Sequence, residues 1–272
     1  MVCKSGETKE YLEEELAIIN KWEEEQKGLW FWEKLGRLPF KILDRITPQI
    51  IHNKIGMAID EIGSYLQTGG RYLVSEMGIF NKISKKTGVS EVTISYISEL
   101  PLTTMDEISQ EIITSRKRVA MTQGATTGIG GVFTLTIDIP FILGISLKTL
   151  QEIALSYGFD PNDKKERVFI VKCLQFVSSD IVGKQAILRE LSDYSSLDPN
   201  KKEETLSQVQ GWREVIISYR DNFGWKKLFQ MIPIAGMIFG SIINKSMVND
   251  IGETGRMLYK KRRIKERLKS FE

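Results

Sequence analysis

The chain has few of the residues that build metal and redox sites. It holds one histidine, His52, and two cysteines, Cys3 and Cys173, which lie far apart without a CxxC pair. A single histidine cannot form a two-histidine zinc site, and two distant cysteines give neither a disulfide framework nor a zinc ligand set. The sequence therefore predicts no metal and no cofactor, and this use of cysteine fits a reducing, cytoplasmic setting.

Recognisable catalytic and nucleotide-binding motifs are also missing. No Gly-Lys-Ser/Thr follows the central glycines, as a P-loop requires, and Phe133 stands where a dinucleotide fingerprint needs its third glycine. Neither paired carboxylates nor a nucleophile motif stands out. The sequence therefore favours a protein that is not an enzyme. The alternative that remains is a membrane-proximal hydrolase that uses Asp138 as its acid or base.

Charge is unevenly distributed along the chain, although the formal net charge is only +3. Residues 7–33 carry nine acidic and three basic side chains, a net of −6, whereas residues 256–272 carry eight basic and two acidic ones, a net of +6. The two ends can pair with each other, or the basic end can meet phosphates on lipid or nucleic acid. The basic end lacks interleaved aromatic residues, so no nucleic acid is expected as a partner. The acidic start lies where a signal peptide needs its apolar segment, which argues against export by that route.

The most unusual stretch runs from Gln123 to Gly158 and contains only three charged residues. Glycines recur in it at helical spacing, so one helix face carries almost no side chains and a second helix can approach closely. The uncharged run Leu228–Asn244 carries a second ridge of this kind. We expect the two ridges to pack on each other. The predicted packing signature consists of Gly124, Gly128, Gly130, Gly131, Asp138, Pro140, Gly236 and Gly240.

Asp138 and Pro140 interrupt the central apolar run. Aspartate is a preferred N-cap and proline is tolerated in the first turn of a helix, so the pair predicts that one helix ends there and another begins. The other interpretation is a functional carboxylate at the turn of a helical hairpin, since a charge in so apolar a setting needs a partner.

Further helices are predicted along the rest of the chain. An apolar stripe predicts one from roughly Thr8 to Lys27. The segment Val89–Leu100 could be a strand, but a single strand has no pairing partner, so a short helix is expected there. A capping box at Thr104–Glu107, a stop at Gly158 and a new start at Asp160–Pro161 mark the ends of others. The sequence thus predicts an all-α fold, a multi-helix bundle around a central glycine-rich apolar helical hairpin. We expect a single domain over residues 1–272, with N-terminal helices at 8–100, the glycine-rich core at 104–180, and an apolar and then basic C-terminal helix at 228–270.

Basic residues next to the apolar segments predict contact with an anionic membrane surface or lipid. These residues are Arg116, Lys117, Arg118, Lys260, Lys261, Arg262, Arg263 and Lys265. Leu228–Asn244 is shorter than the ~20 residues of a membrane span, and Asp138 would cost about 3 kcal/mol at the bilayer centre. We therefore expect a cytoplasmic protein peripheral to the inner face of the cell membrane, with an inserted integral hairpin as the alternative.

Several segments resemble the EcsC protein family of bacteria. They are Trp22–Glu23, GATTGIGGVFTLTIDIP at 124–140, LQEIALSYG at 150–158, and IPIAGM at 232–237 with Asn244. The name-giving member is encoded beside the ATP-binding and membrane subunits of an ABC transporter, so the resemblance implies a link to membrane transport and an ABC transporter as a partner. The family has no established enzymatic activity, so the resemblance implies no catalytic residues.

The residues and the resemblance together predict a non-enzymatic, membrane-associated accessory protein that binds the anionic cytoplasmic membrane face. A soluble helical carrier that holds a lipid or acyl chain in its apolar centre is the main alternative, beside the hydrolase that uses Asp138. The sequence does not indicate an oligomeric state.

Overall fold

The structure is a computed structural model, and it describes residues 6–26, 63–65, 68–69, 74–127, 132–178, 181–194 and 232–271. Within the helices, residues 125–127, 132–140, 178, 181–183, 192–194 and 232–243 are described by their backbone alone.

The described residues form helices and contain no β-strand, which confirms the predicted all-α class. The helices are α1 (Lys9–Glu25), α2 (Glu76–Thr87), α3 (Ile94–Glu99), α4 (Leu102–Thr127), α5 (Val132–Ser156), α6 (Lys164–Ser178), α7 (Ile181–Tyr194) and α8 (Ile232–Leu268), followed by a 3-10 turn at Lys269–Phe271.

Local signals fix several of the helix ends. The Thr8 hydroxyl accepts a hydrogen bond from the Tyr11 amide at 3.2 Å, so Thr8 is the N-cap of α1, at the predicted start of this helix. At the end of α5, Gly158 has a φ of +74°, and the Phe159 amide bonds the Ala154 carbonyl at 2.9 Å, which completes a Schellman motif. A Cβ at Gly158 would lie 2.7 Å from the Ser98 amide nitrogen, so glycine is needed there for close approach as well as for its conformation.

The predicted helix break at Asp138 and Pro140 is wrong. Helix α5 runs through both residues without interruption. A proline inside a helix loses one backbone hydrogen bond and clashes with the preceding turn, at about 3 kcal/mol. Continuing the helix buries the apolar residues that follow, such as Ile142 and Leu143, and burial of one such side chain contributes roughly 1.5–3 kcal/mol. Packing therefore outweighs the local signal.

The capping box at Thr104–Glu107 also misplaces a helix start, because α4 begins at Leu102. A carboxylate from the N-terminal segment provides the cap instead, since Glu7 Oε1 accepts from the Leu102 amide at 2.6 Å. A cap that is supplied from 95 positions away has no local sequence signature.

Helices α4, α5 and α8 form the centre of the fold. Gly252 of α8 lies against Ile113 of α4, and Asn249 accepts from Lys117 Nζ at 2.7 Å, so α8 runs antiparallel to α4. Gly255 of α8 lies against Leu150 of α5, while Arg263 further along α8 reaches the end of α5, so these two helices are parallel. The remaining helices pack around the half of this centre where α4 begins and α5 and α8 end, and we call that half the body.

The opposite half of the three central helices has a different composition. A separate small cluster of buried side chains joins the three helices there, made of Ala120, Ile142, Ile145, Met247 and Val248. Beyond the cluster lie the last residues of α4 and the first residues of α5 and α8. We call residues 119–127, 132–147 and 232–244 the apolar end.

Candidate functional site

The apolar end combines three helix segments that are almost free of charge. Residues 119–127 and 232–244 contain no Asp, Glu, Lys or Arg, and residues 132–147 contain only Asp138. A helix that is apolar all round is normally buried in protein or lipid. Two large apolar side chains near the base of this end are nevertheless solvent-exposed: Val119 is 44% exposed and Met121 is 40% exposed. The apolar end is therefore the first place to look for a binding surface.

Exposed cations border the apolar end on each of its three helices. Arg118 precedes the uncharged segment of α4, Lys148 follows that of α5, and Lys245 follows that of α8; all three side chains are exposed. Each lies within three residues of a member of the small apolar cluster, so the three cations stand at a similar level of the bundle. Asp138 is the only acidic residue in 112–147, and none occurs in 232–249. We call Arg118, Lys148 and Lys245 the cationic boundary.

The other two predicted cations of α4 have internal partners. Arg116 forms a bidentate ion pair with Glu152 of α5, in which Nε lies 2.9 Å from Oε2. Lys117 donates to Asn249 of α8. Both side chains hold the central helices together, so Arg118 is the exposed member of the predicted Arg116–Arg118 patch.

Cations of the C-terminal helix make their contacts within the protein. Lys260 lies 2.6 Å from Glu15 and also pairs with Asp106, and its side chain is 7% exposed. Lys261 lies 2.6 Å from Glu23. These pairs join the acidic N-terminal segment to the basic C-terminal helix, which is one of the two interpretations that the charge asymmetry allowed.

Two arginines of the same helix are also largely buried. Arg262 forms a bidentate pair with Glu166, at 2.8 and 2.6 Å, and its guanidinium lies 4.1 Å from the ring centre of Phe159. Arg263 donates to the Tyr157 carbonyl at 3.0 and 2.6 Å, and so caps the end of α5. Lys265 is partly exposed and lines a small cleft beside Lys261 and Arg262. The sequence predicts that the C-terminal helix contacts an anionic surface, but the contacts of Arg262 and Arg263 lie within the protein and hold its helices together.

Arg267 completes this arrangement at the far end of α8. Its guanidinium pairs with Glu7 and donates to the carbonyls of Ser98 at 3.0 Å and Leu100 at 2.6 Å. Both charged side chains are 8% exposed. One arginine thus ties the N-terminal segment, the loop after α3 and the C-terminal helix together.

The predicted glycine signature is only partly described. Gly124 is buried in α4, whereas Gly128, Gly130 and Gly131 lie outside the described residues. The other four signature residues, Asp138, Pro140, Gly236 and Gly240, lie on the helical backbones of α5 and α8. Contact between the two glycine ridges, and with it the glycine-rich hairpin, stays a prediction.

Sequence reasoning missed the glycines that the structure shows in helix contacts. A Cβ on Gly252 would lie 2.7 Å from Ile113, and one on Gly255 would lie 2.6 Å from Leu150. These two small residues let α8 pack closely on α4 and α5. Gly252 and Gly255 are three residues apart, as are Gly128 and Gly131, so the same pattern of small residues at helical spacing is present in residues 245–260 of the sequence.

Two further observations concern metal binding and membrane-spanning helices. Among the described residues, no group of three or more His, Cys, Asp or Glu side chains is placed to hold a metal ion. No helix in the described ranges is both long enough and apolar enough to cross a membrane.

Comparison with known proteins identifies the family. The model of the EcsC protein family matches residues 13–264. The uncharacterized protein YdbA of Bacillus subtilis (strain 168) is 56% identical over 268 residues, which cover 98% of this chain and 97% of that protein. Protein EcsC of the same organism is 32% identical over 169 residues, covering 62% of this chain and 68% of that protein. No solved structure matches the chain. The family resemblance predicted from the sequence is thereby confirmed, and the chain belongs to the EcsC protein family.

Proposed function

We propose that the protein is an accessory protein that binds the anionic face of a membrane through its apolar end. One observation carries the proposal. Three central helices extend uncharged segments beyond the same small apolar cluster, and an exposed cation borders each segment. This order, apolar residues followed by cations, matches the order of hydrocarbon and anionic headgroups met on leaving a bilayer.

The lengths of the uncharged segments suit one leaflet. Residues 232–244 of α8 extend about 20 Å at 1.5 Å per residue. The hydrocarbon core of a bilayer is about 30 Å thick, so one leaflet provides roughly 15 Å. The apolar end could therefore enter one leaflet while the body stays in water.

The cationic boundary would then lie at headgroup level. Lysine and arginine carry long apolar stems, so their charges can reach the headgroups while the stems contact acyl chains. Near an anionic surface each such residue contributes about 1 kcal/mol. Three of them would give a preference of about 3 kcal/mol for anionic over neutral lipid. Asp138 is the one charge that opposes insertion.

The proposal does not use the C-terminal cations. Lys260, Lys261 and Arg262 have carboxylate partners and side chains that are 7 to 14% exposed. Releasing them to lipid would leave buried carboxylates without partners, which is costly. Of the surface predicted from the sequence, Arg118 is therefore kept, and the contact with lipid lies at the apolar end instead of on the C-terminal helix. A partner in this setting would be a membrane protein, and the family resemblance suggests an ABC transporter.

Vesicle flotation tests the proposal. The variant Arg118→Glu/Lys148→Glu/Lys245→Glu reverses the cationic boundary on exposed positions. The matched control, Lys85→Glu/Lys164→Glu/Lys269→Glu, makes the same charge change on exposed positions of the body. We expect the wild type and the control to float with phosphatidylglycerol vesicles. The boundary variant should lose at least about 100-fold in affinity, the equivalent of about 3 kcal/mol.

Equal binding by the two triple variants would contradict the proposal, as would equal binding of the wild type to neutral and anionic vesicles. A protein that stays unbound but is purified with a lipid mass in native mass spectrometry would instead support the carrier alternative.

A further inference from the structure

Asp250 is a buried carboxyl group in the middle of α8. Asp250 is 8% exposed, and its Oδ1 accepts a long hydrogen bond of 3.3 Å from the Asn249 side chain. Its Oδ2 is buried and has no hydrogen-bond partner. One turn further along the same helix, the buried hydroxyl of Thr254 also has no partner. A buried carboxylate normally accepts several hydrogen bonds, so this site is poorly suited to a negative charge.

Charged groups on three helices act electrostatically on Asp250. Lys184 of α7 is 1% exposed and acts on it electrostatically, Lys117 of α4 acts in the same sense, and Glu253 of α8 opposes both. Burial dominates these influences and raises the pKa of Asp250 to about 7, while the Asn249 hydrogen bond and the two lysines limit the rise. An acid in this position can change its charge near neutral pH.

We propose that the buried Asp250 carboxyl group of α8 forms a proton-binding site. The ligand is one proton taken from water, which converts the carboxylate into a neutral carboxylic acid with one O–H donor. The neutral acid no longer has to be solvated as an ion inside the protein. The inference is independent of membrane binding, because Asp250 is buried and lies outside residues 232–244 of α8.

The sign of the pH effect follows from the raised pKa. The folded state holds the proton more tightly than the unfolded chain, in which an aspartate titrates near 4. The stabilising effect of the proton is complete below that value. It is lost as the pH rises from about 4 through about 7, so the folded protein should be less stable at about pH 8.5 than at about pH 5.5.

Thermal unfolding across this pH range tests the proposal. His52, the only histidine in the sequence, is first replaced in all proteins by His52→Gln, so that no imidazole titrates in the same range. Asp250→Asn then keeps the shape of the side chain without the charge. Glu14→Gln, an exposed carboxyl group on α1, is the matched control.

We expect Asp250→Asn to raise the melting temperature at both pH values, because part of the stability is already lost between about pH 4 and about pH 5.5, and to raise it by about 4 °C more at about pH 8.5 than at about pH 5.5. The control Glu14→Gln should have the same melting temperature as its parent at both pH values. Lys184→Met removes a cation that favours the carboxylate, so it should move the loss of stability to higher pH. Parallel pH curves for Asp250→Asn and its parent would overturn the proposal. If Asp250→Asn does not fold, an unmoved curve for Lys184→Met would overturn it equally.

Discussion

Helix α8 connects two regions that differ in how their charged side chains are placed. In the body, its cations are paired with carboxylates and largely buried, as for Lys260 and Arg262. Toward the apolar end the helix has no charge before Lys245, which is exposed. A count of basic residues alone would assign membrane binding to the first region. The contacts show that the first region uses its charge for folding and that the second has cations facing solvent.

The difference teaches that charge density is a poor guide to a binding surface. The acidic segment near α1 and the basic end of α8 are the two most charged parts of the sequence, and they pair with each other. Opposite charges that meet within one chain neutralise each other's field, so they attract a distant anionic surface only weakly. Three exposed cations beside apolar residues have no such acidic segment opposite them in the described part of the chain, and in the proposed function they are the ones that face anionic lipid.

The largest expected effect tests whether the buried ion pairs stabilise the body. Arg267→Met removes one partner of a buried ion pair and leaves Glu7 buried without a counter-charge. We expect a loss of about 3–5 kcal/mol in the free energy of unfolding, measured by urea denaturation. The exposed Lys269, two positions further on, provides the control, and Lys269→Met should cost less than about 0.5 kcal/mol. Similar losses for the two variants would mean that the buried network does not stabilise the body.

Smaller effects on stability and on vesicle affinity distinguish Arg116 from Arg118, which lie where the body meets the apolar end. Arg116→Met breaks the partly buried pair with Glu152 and should cost about 1–2 kcal/mol in unfolding free energy, without changing vesicle affinity. Arg118→Met removes an exposed cation and should leave stability within about 0.5 kcal/mol, while lowering affinity for anionic vesicles about fivefold. The comparison between the regions would fail if both variants changed the same property.

Local chemistry made part of the fold predictable. The helix start at Thr8 and the stop at Gly158 depend on these residues themselves, through a hydroxyl that bonds the first turn and a glycine that adopts a positive φ, and both predicted positions are confirmed. The segment Val89–Leu100 is rich in β-branched residues, yet it forms the predicted short helix α3, capped by the Thr93 hydroxyl. These features are encoded within a few residues.

Features that depend on distant partners were not predictable in the same way. Glu7 caps α4 and pairs with Arg267, and no local pattern links these positions. Pro140 lies inside a continuous helix because tertiary burial outweighs its local cost. The apolar end was visible as two uncharged runs, but the boundary formed by Arg118, Lys148 and Lys245 becomes apparent only once three helices are aligned. The role of Asp250 required its burial to be known.

The central claim is that the apolar end, and not the body, faces the membrane. Two exposed methionines allow a direct test: Met121 at the apolar end, 40% exposed, and Met77 on the body, 64% exposed. Each is replaced by cysteine in a Cys3→Ser background, where the remaining Cys173 is fully buried, and labelled with a polarity-sensitive fluorophore. With phosphatidylglycerol vesicles we predict a blue shift and quenching by lipid-borne nitroxide at position 121, with no change at position 77. The opposite pattern, or no change at either position in protein that floats with the vesicles, would contradict the account.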